Sequence, residues 1–295
     1  MYKLGIDLGG TKIEGIILDN DLNEVYRKRI ATEQEKGYEH ILTNIASLYS
    51  DLVKEINSAA HTFGIGTPGS VSNYTGLLKN SNTTCLNGMS FLADLESKLK
   101  RKIAIENDAN CFAIAEALKG AGRGKRMVFG VIMGTGCGGG IVYDGKLING
   151  LQGIAGEWGH TTIDPNSGPL CYCGKRGCTE TFISGDGLEN RYAELAGQRL
   201  PLEEIITNYR TGEEKAKQII NAFFTHFGVA LSNVINILDP DVVVLGGGLS
   251  NINELYTLGI EQVQATIFND RMETLIVKNT CGDSAGVWGA ALVGV

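Results

Sequence analysis

The chain has 295 residues, 43% hydrophobic and 20% charged, enough to bury a full core and to form two domains of ordinary size. A net charge of -7 and a pI near 5.2 provide no basic field for a polyanion, which argues against nucleic acid as a partner and for a small ligand. No apolar run approaches the roughly 20 residues that cross a bilayer, and Met1 leads into Leu4-Gly5-Ile6-Asp7 without a basic and apolar leader, so a cytoplasmic protein with no membrane partner is expected.

In chain order, Lys3 to Leu8, Ile13 to Leu18 and Glu24 to Ile30 read as three short strands in an antiparallel meander, with Asp19-Asn20-Asp21 in the second turn. Tyr38 to Ile56 carries Ile41, Ile45, Leu48, Leu52 and Ile56 at helical spacing. A buried strand, His61 to Gly66, follows. Helix Phe91 to Lys100 feeds strand Lys102 to Glu106, and after Asn107-Asp108 the alanine-rich Ala109 to Lys119 predicts a helix. The second half opens with strands Met127 to Met133 and Gly139 to Tyr143 around a glycine turn. A cysteine cluster interrupts it, and a long helix, Glu213 to Leu238, an apolar strand, Val242 to Leu245, and a closing helix, Ala285 to Val293, complete the chain. Alternating strands and helices predict an α/β fold.

Leu4 to Asp19 matches Phe129 to Asp144 without a gap: Gly5, Gly9, Gly15, Ile16 and Asp19 face Gly130, Gly134, Gly140, Ile141 and Asp144. Both copies read apolar strand, glycine and threonine turn, apolar strand. Backbone N–H groups in two such turns suit the grip of a phosphate chain, as in a nucleoside triphosphate, although two unrelated glycine hairpins would share much of this pattern. Asp7 faces Ile132, so only the first copy offers a carboxylate for Mg²⁺.

Phosphoryl transfer to a hydroxyl needs a base, and Glu106-Asn107-Asp108 puts carboxylates at a strand end where a cleft between domains would open. Asp108 is the candidate base; the competing reading is an N-cap for the helix that follows. Asn107 offers a donor and an acceptor to a polyhydroxy ligand. His160, Cys171, Cys173 and Cys178 form the inventory of a closed, structural zinc site, and three crowded thiols in a seven-cysteine chain favour metal over disulfides. Glu157 and Glu180 flank that cluster, where a braced loop could hold both carboxylates for sugar hydroxyls; either could otherwise be a solvated surface residue. Cys85, Cys111, Cys137 and Cys281, with His40, His61 and His226, read as packing residues.

Together these segments resemble the ROK family of sugar kinases, in the actin- and hexokinase-like superfamily, over essentially the whole chain. Asp7-Leu8-Gly9-Gly10-Thr11-Lys12 is similar to its first phosphate motif, Gly134-Thr135-Gly136-Cys137 begins the second, and Gly246-Gly247-Gly248-Leu249-Ser250 looks like the adenosine motif. Glu157-Trp158-Gly159-His160 and Cys171 to Glu180 are similar to the sugar and zinc signature. The resemblance implies two actin-like (ribonuclease H-like) domains around an active-site cleft: residues 1–117 joined by the C-terminal helix 284–295, and residues 118–283 with the zinc loop and adenosine motif. It implies MgATP between the hairpins, held by Asp7, Gly9, Gly10, Thr11, Lys12, Gly134, Thr135, Gly136, Gly246, Gly247, Gly248 and Leu249. Asp7 would hold magnesium through water, and Zn²⁺ would be structural.

The same resemblance implies Asp108 as base on a sugar 6-hydroxyl, with Gly69, Asn107, Glu157, His160 and Glu180 around the sugar. Lys79 to Thr84, Leu86-Asn87-Gly88 and Glu180 to Gly185 look most like bacterial fructokinases that also accept mannose, so fructose is the first expectation. The stretch from His160 to Cys171 is shorter than in those enzymes, and N-acetylglucosamine kinase and glucokinase are the alternatives. A sugar-responsive ROK repressor is the alternative from another class, and the first strand leaves no room before it for a helix-turn-helix. A homodimer is expected, with Trp158 a candidate contributor to its contact.

Overall fold

The computed structural model describes residues 1–294, so Val295, the last residue of the expected closing helix, lies outside the described residues. In chain order the elements are β1 (Tyr2–Leu8), β2 (Lys12–Leu18), β3 (Glu24–Ala31), α1 (Tyr38–Glu55), β4 (His61–Thr67), β5 (Ser70–Val71), β6 (Leu78–Lys79), α2 (Phe91–Leu99), β7 (Ala104–Asn107), α3 (Asp108–Leu118), β8 (Met127–Met133), β9 (Cys137–Tyr143), β10 (Lys146–Leu147), α4 (Glu180–Ile183), α5 (Gly185–Ala196), α6 (Leu202–Thr211), α7 (Glu214–Leu238), β11 (Val242–Gly246), α8 (Leu258–Thr266), β12 (Leu275–Lys278) and α9 (Ala285–Val293). The long, strongly patterned elements match the sequence reading to within about two residues. The short β5 and β6, and α4, α5, α6, α8 and β12, carry weaker patterns and emerge only in the fold.

Two compact units result: residues 1–123, 145–155 and 281 onward, and residues 124–144 with 156–280. The segment 145–155, expected with the second domain, packs in the first unit. Hydrogen bonds hold it there, from Asn149 Nδ2 to Glu106 Oε1 at 2.6 Å and from Asn73 Nδ2 to the Leu151 carbonyl at 3.5 Å.

In the first unit the sheet order is β3-β2-β1-β4-β7, antiparallel through the meander and parallel across β1, β4 and β7. Ile41, Ile45, Leu48 and Leu52 line the buried stripe of α1 and join Leu4, Ile6, Ile13, Ile17 and Phe63 in one core. The opposite face meets α9 almost backbone to backbone. A Cβ on Gly5 would lie 2.3 Å from the Ala291 nitrogen, on Gly64 2.1 Å from the Ala290 oxygen, and on Gly289 1.9 Å from the Cys111 oxygen. Glycine is therefore demanded here by close approach.

The second sheet has the order β10-β9-β8-β11-β12, with β9-β8 antiparallel and β11 parallel to β8 and β12, which repeats the order of the first with the two-residue β10 in the place of β3. The two hairpins differ by one residue of register. Gly5 pairs with Ile16 and Ile6 with Gly15, whereas Gly130 pairs directly with Gly140. The ungapped sequence match therefore does not carry over to cross-strand partners, because the first connection is one residue longer: Leu8 pairs with Ile13 but Met133 with Cys137.

Helix α7 is long and apolar enough by length and composition to cross a membrane, contrary to the sequence estimate. Its apolar face is used within the unit, where Ile219, Ile220, Phe223, Phe224, Phe227, Leu231 and Ile235 are buried. Trp158 is also core, not contact surface: it is 3% exposed, donates from Nε1 to the Gly138 carbonyl at 2.9 Å and meets Phe129 edge-on.

Gly64→Ala should cost about 3 kcal/mol, since the obstacle is helix backbone and not a flexible side chain. Thermal unfolding should show a drop of several degrees in the melting temperature. An unchanged transition would mean that α9 does not sit against β4 as described.

Candidate functional site

The first unit gathers Asp7, Asn107 and Asp108. β7 runs into α3 with Asn107 as the N-cap: its Oδ1 accepts the Asn110 N–H at 2.7 Å. The capping role left open for Asp108 thus belongs to its neighbour. Asp108 lies in the first helical turn with an exposed side chain, and its Oδ1 accepts the Ala109 N–H at 2.9 Å. Asn107 retains its Nδ2 amide as a donor.

Glu106, at the end of the same strand, accepts from Asn110 Nδ2 at 2.9 Å and from Asn149 Nδ2 at 2.6 Å. Asn149 went unnoticed in the sequence, since a lone asparagine some 40 residues away carries no local signal. It joins the segment 145–155 to the strand end that presents Asp108.

Asp7 is the penultimate residue of β1, between the buried Ile6 and Leu8. Its carboxylate lies over two glycines: a Cβ on Gly66 would be 3.1 Å from Oδ1, and one on Gly286 2.6 Å from Oδ2. Burial, then the Asp108 and Glu14 carboxylates, push its pKa up to about 7, with Lys12 opposing. Lys12 is 3.9 Å from Glu14, a carboxylate 2% exposed that Arg27 approaches at 3.1 Å and Arg29 at 2.9 Å. The Gly9-Gly10-Thr11-Lys12 turn is closed by Gly9 N–H to the Lys12 carbonyl at 2.9 Å and braced by Thr32, whose hydroxyl donates to the Gly9 carbonyl at 2.7 Å. Gly69 has φ +84° and no room for a Cβ, which would lie 2.4 Å from the Lys79 oxygen. Its identity is explained by packing alone.

The second unit holds the other turn, the Gly246–Ser250 segment and the cysteine cluster. Gly134 and Gly248 leave open space where a Cβ would stand, so a ligand could approach the backbone at both. Gly247, at φ +78°, packs on the Met133 backbone. Leu249 is 1% exposed, so its side chain belongs to the core and only its backbone could serve a nucleotide. Thr135 and Gly136 are exposed in the turn. The Gly185 N–H donates to the Gly134 carbonyl at 2.7 Å, and Cys137 N–H donates to Glu180 Oε2 at 2.9 Å. Glu180 is thereby fixed to the turn.

His160, Cys171, Cys173 and Cys178 offer four donor atoms, all within 4.8 Å of one another. Cys171 Sγ is 3.7 Å from His160 Nδ1 and Cys173 Sγ is 3.6 Å from Cys178 Sγ. Tetrahedral zinc with Zn–S near 2.3 Å requires donor separations of about 3.8 Å, so the set fits. Burial, then the neighbouring cysteine sulfurs, push the Cys178 thiol up to about 12, a shift that a bound cation would reverse by favouring the thiolate. Asp164 closes the short segment before Cys171, its Oδ1 accepting from Ser167 N–H at 3.0 Å and its Oδ2 from the Ser167 hydroxyl at 2.6 Å.

Both nitrogens of His160 are engaged, because Nε2 lies 3.0 Å from Tyr172 Oη. The Glu157 carboxylate, half-buried, has no hydrogen-bond partner among the described residues. Of the four bystander cysteines, Cys111 and Cys137 are buried, while Cys85 and Cys281 are half-exposed.

Metal analysis should find one zinc per chain, and Cys178→Ser should lose most of it with a lower melting temperature. A pure, folded protein without zinc would remove the site. Asp7 predicts an unusual pH response in metal-free buffer. Its folded pKa stands above its unfolded value of about 3.8, so between roughly pH 4 and 7 the folded state holds a proton that the unfolded state has released, and stability falls as pH rises. The slope should approach roughly 1 kcal/mol per pH unit. Denaturant midpoints of Asp7→Asn should lack this decline, and parallel curves for both proteins would refute it.

The ROK family model matches residues 3–294. The chain is 37% identical over 298 residues to an N-acetyl-D-glucosamine kinase of Pectobacterium carotovorum, covering 98% of this chain and 97% of that protein. Its structure is similar to a ROK hexokinase from Thermus thermophilus, with TM-score 0.92 and 30% identity over 100% of this chain and 98% of the other. It is also similar to a ROK glucokinase from Streptomyces griseus in complex with glucose and AMPPNP, with TM-score 0.77 and 26% identity over 100% and 99% of the two chains. The chain belongs to the ROK family.

Proposed function

We propose that this chain, an ATP-dependent sugar kinase of the ROK family, transfers the γ-phosphate to the 6-hydroxyl of N-acetylglucosamine. The observation that carries the choice of sugar is the 37% identity, over nearly the full length of both chains, to an N-acetyl-D-glucosamine kinase. Fructose, the first expectation, gains no such support. The segments that suggested it have work of their own. Asn87 clasps Ser81 with hydrogen bonds of 2.8 and 2.9 Å, Thr83 and Leu86 are buried, and Ser184 caps α5 through the Gly187 N–H. Such residues record how loops are closed, and this does not discriminate between sugars.

In this reading Asp108 accepts the proton of the sugar 6-hydroxyl as O6 bonds to the γ-phosphorus and the bond from that phosphorus to the β,γ-bridging oxygen breaks, releasing ADP. Asn107 donates from Nδ2 to a sugar hydroxyl, and Glu157 and the outer oxygen of Glu180 accept from others. Backbone N–H groups of Gly9 to Lys12 and of Gly134 to Gly136 hold phosphate oxygens, and Gly246 to Leu249 supports the adenosine through its backbone. Magnesium, held by Asp7 through water, would neutralise phosphate charge. A carboxylate whose pKa is pushed up to about 7 by burial and then by like charges suits a cation there.

Coupled ADP release with MgATP should give a kcat/KM for N-acetylglucosamine at least about tenfold above fructose, mannose and glucose, a margin within reach of one or two sugar contacts. A preference for fructose would overturn this choice of sugar. Asp108→Asn should lower kcat by about 10²- to 10⁴-fold with little change in sugar KM, and a near-wild-type kcat would remove Asp108 as the base.

A further inference from the structure

Tyr172 stands between two of the zinc-site cysteines and is 76% exposed, yet its hydroxyl is held. Its Oη lies 3.0 Å from His160 Nε2, and its ring meets the imidazole edge-on, with centroids 5.2 Å apart and planes at 82°. Nδ1 of that imidazole is on the cysteine side, 3.7 Å from Cys171 Sγ. With the Nδ1 lone pair directed at the metal cluster, the ring proton sits on Nε2 and is donated to Tyr172 Oη. The tyrosine's own O–H proton is left over.

The groups around it are acceptors. Glu157 has no hydrogen-bond partner among the described residues, and Glu180 uses Oε2 for the Cys137 N–H. Both carboxylates lie within electrostatic reach of the Tyr172 phenol, which like an ordinary tyrosine keeps its proton at neutral pH. Sugar hydroxyls can donate to carboxylates, but an acetamido carbonyl cannot, since it only accepts. His160 has already committed both of its nitrogens. In this loop the combination of an unspent O–H donor and an exposed apolar ring is found at Tyr172, and an acetamido group presents a carbonyl oxygen and a methyl.

We propose that Tyr172 is the specificity residue for the acetamido group: its hydroxyl donates to the acetamido carbonyl while its ring packs on the acetamido methyl, with His160 orienting the hydroxyl. The inference rests on N-acetylglucosamine as the substrate. It adds a residue outside the expected set of sugar ligands, placed by its neighbours and not by a motif.

The test compares wild type, Tyr172→Phe and Tyr172→Ala with N-acetylglucosamine and with glucose, which lacks the acetamido group, using glucose as substrate or as competitive ligand. Zinc content is measured in parallel. Tyr172→Phe should raise the KM for N-acetylglucosamine about fivefold to tenfold, the worth of one hydrogen bond. Its kcat, its zinc content and its affinity for glucose should stay within about twofold, a margin below one hydrogen bond. Tyr172→Ala should lose further affinity for N-acetylglucosamine alone. Equal weakening of both sugars, or loss of zinc in the Phe variant, would reduce Tyr172 to a support for His160 and overturn the inference. So would unchanged kinetics in both variants. A wild-type enzyme that ignores N-acetylglucosamine would overturn the choice of substrate and the inference together, whereas a wild-type preference that survives in Tyr172→Phe would sink the inference alone.

Discussion

The second unit depends on one tie, between the turn after β8 and the start of α4 and α5. Cys137 N–H donates to Glu180, and Gly185 N–H donates to the Gly134 carbonyl. A Cβ on Gly136 would stand 2.8 Å from Glu180 Oε2 and would push that carboxylate from its place. Because Cys178 is two residues before Glu180, the cysteine cluster, the carboxylate and the turn form one continuous piece. Loosening the cluster would disturb the carboxylate and, through it, the turn's N–H groups. This chain of hydrogen bonds would let a metal bound at the cluster influence groups that it does not touch.

In the first unit the comparable constraint is steric. α9 lies against β1 and β4 at Gly5 and Gly64 and against α3 at Gly289, close enough that Gly286 at its first turn covers the Asp7 carboxylate. Packing and electrostatics are joined here. The contact that closes the core also buries an acid beside two others, which raises its pKa and costs stability near neutral pH. A cation in place of the proton would remove that cost, so the strain points toward charge neutralisation.

The site was legible where function imposes residue types and illegible where it imposes only geometry. Cys171, Cys173 and Cys178 sit within eight residues, and His160 is close by, so their convergence follows from chain length alone. Asp7 stands out from the asymmetry of the repeated hairpin and Asp108 from its strand-end position, and the structure brings their charges together. Asn149 reaches Glu106 across 43 residues, and nothing local marks it. Tyr172, between two cysteines, carries no signal of its own in the sequence, though its hydroxyl is the group that meets His160. The fructose expectation rested on the likeness of loop segments, and residues within them such as Asn87 and Ser184 close loops, a role that only their hydrogen bonds reveal.

By itself the sequence determined the α/β pattern, the long elements and the glycine turns, because period, turn chemistry and apolar runs are local properties. It also determined the donor set of the cysteine cluster, which is compact along the chain. The tertiary structure decided what depends on partners distant in sequence. It shifted the second hairpin by one residue, because one fewer residue spans its turn. It assigned the cap to Asn107 and not to Asp108, moved residues 145–155 to the first unit, turned Leu249 and Trp158 into the core, and engaged the second nitrogen of His160 with Tyr172. Each is settled by which backbone and side-chain groups come within hydrogen-bond or contact distance, and that is a property of the folded chain.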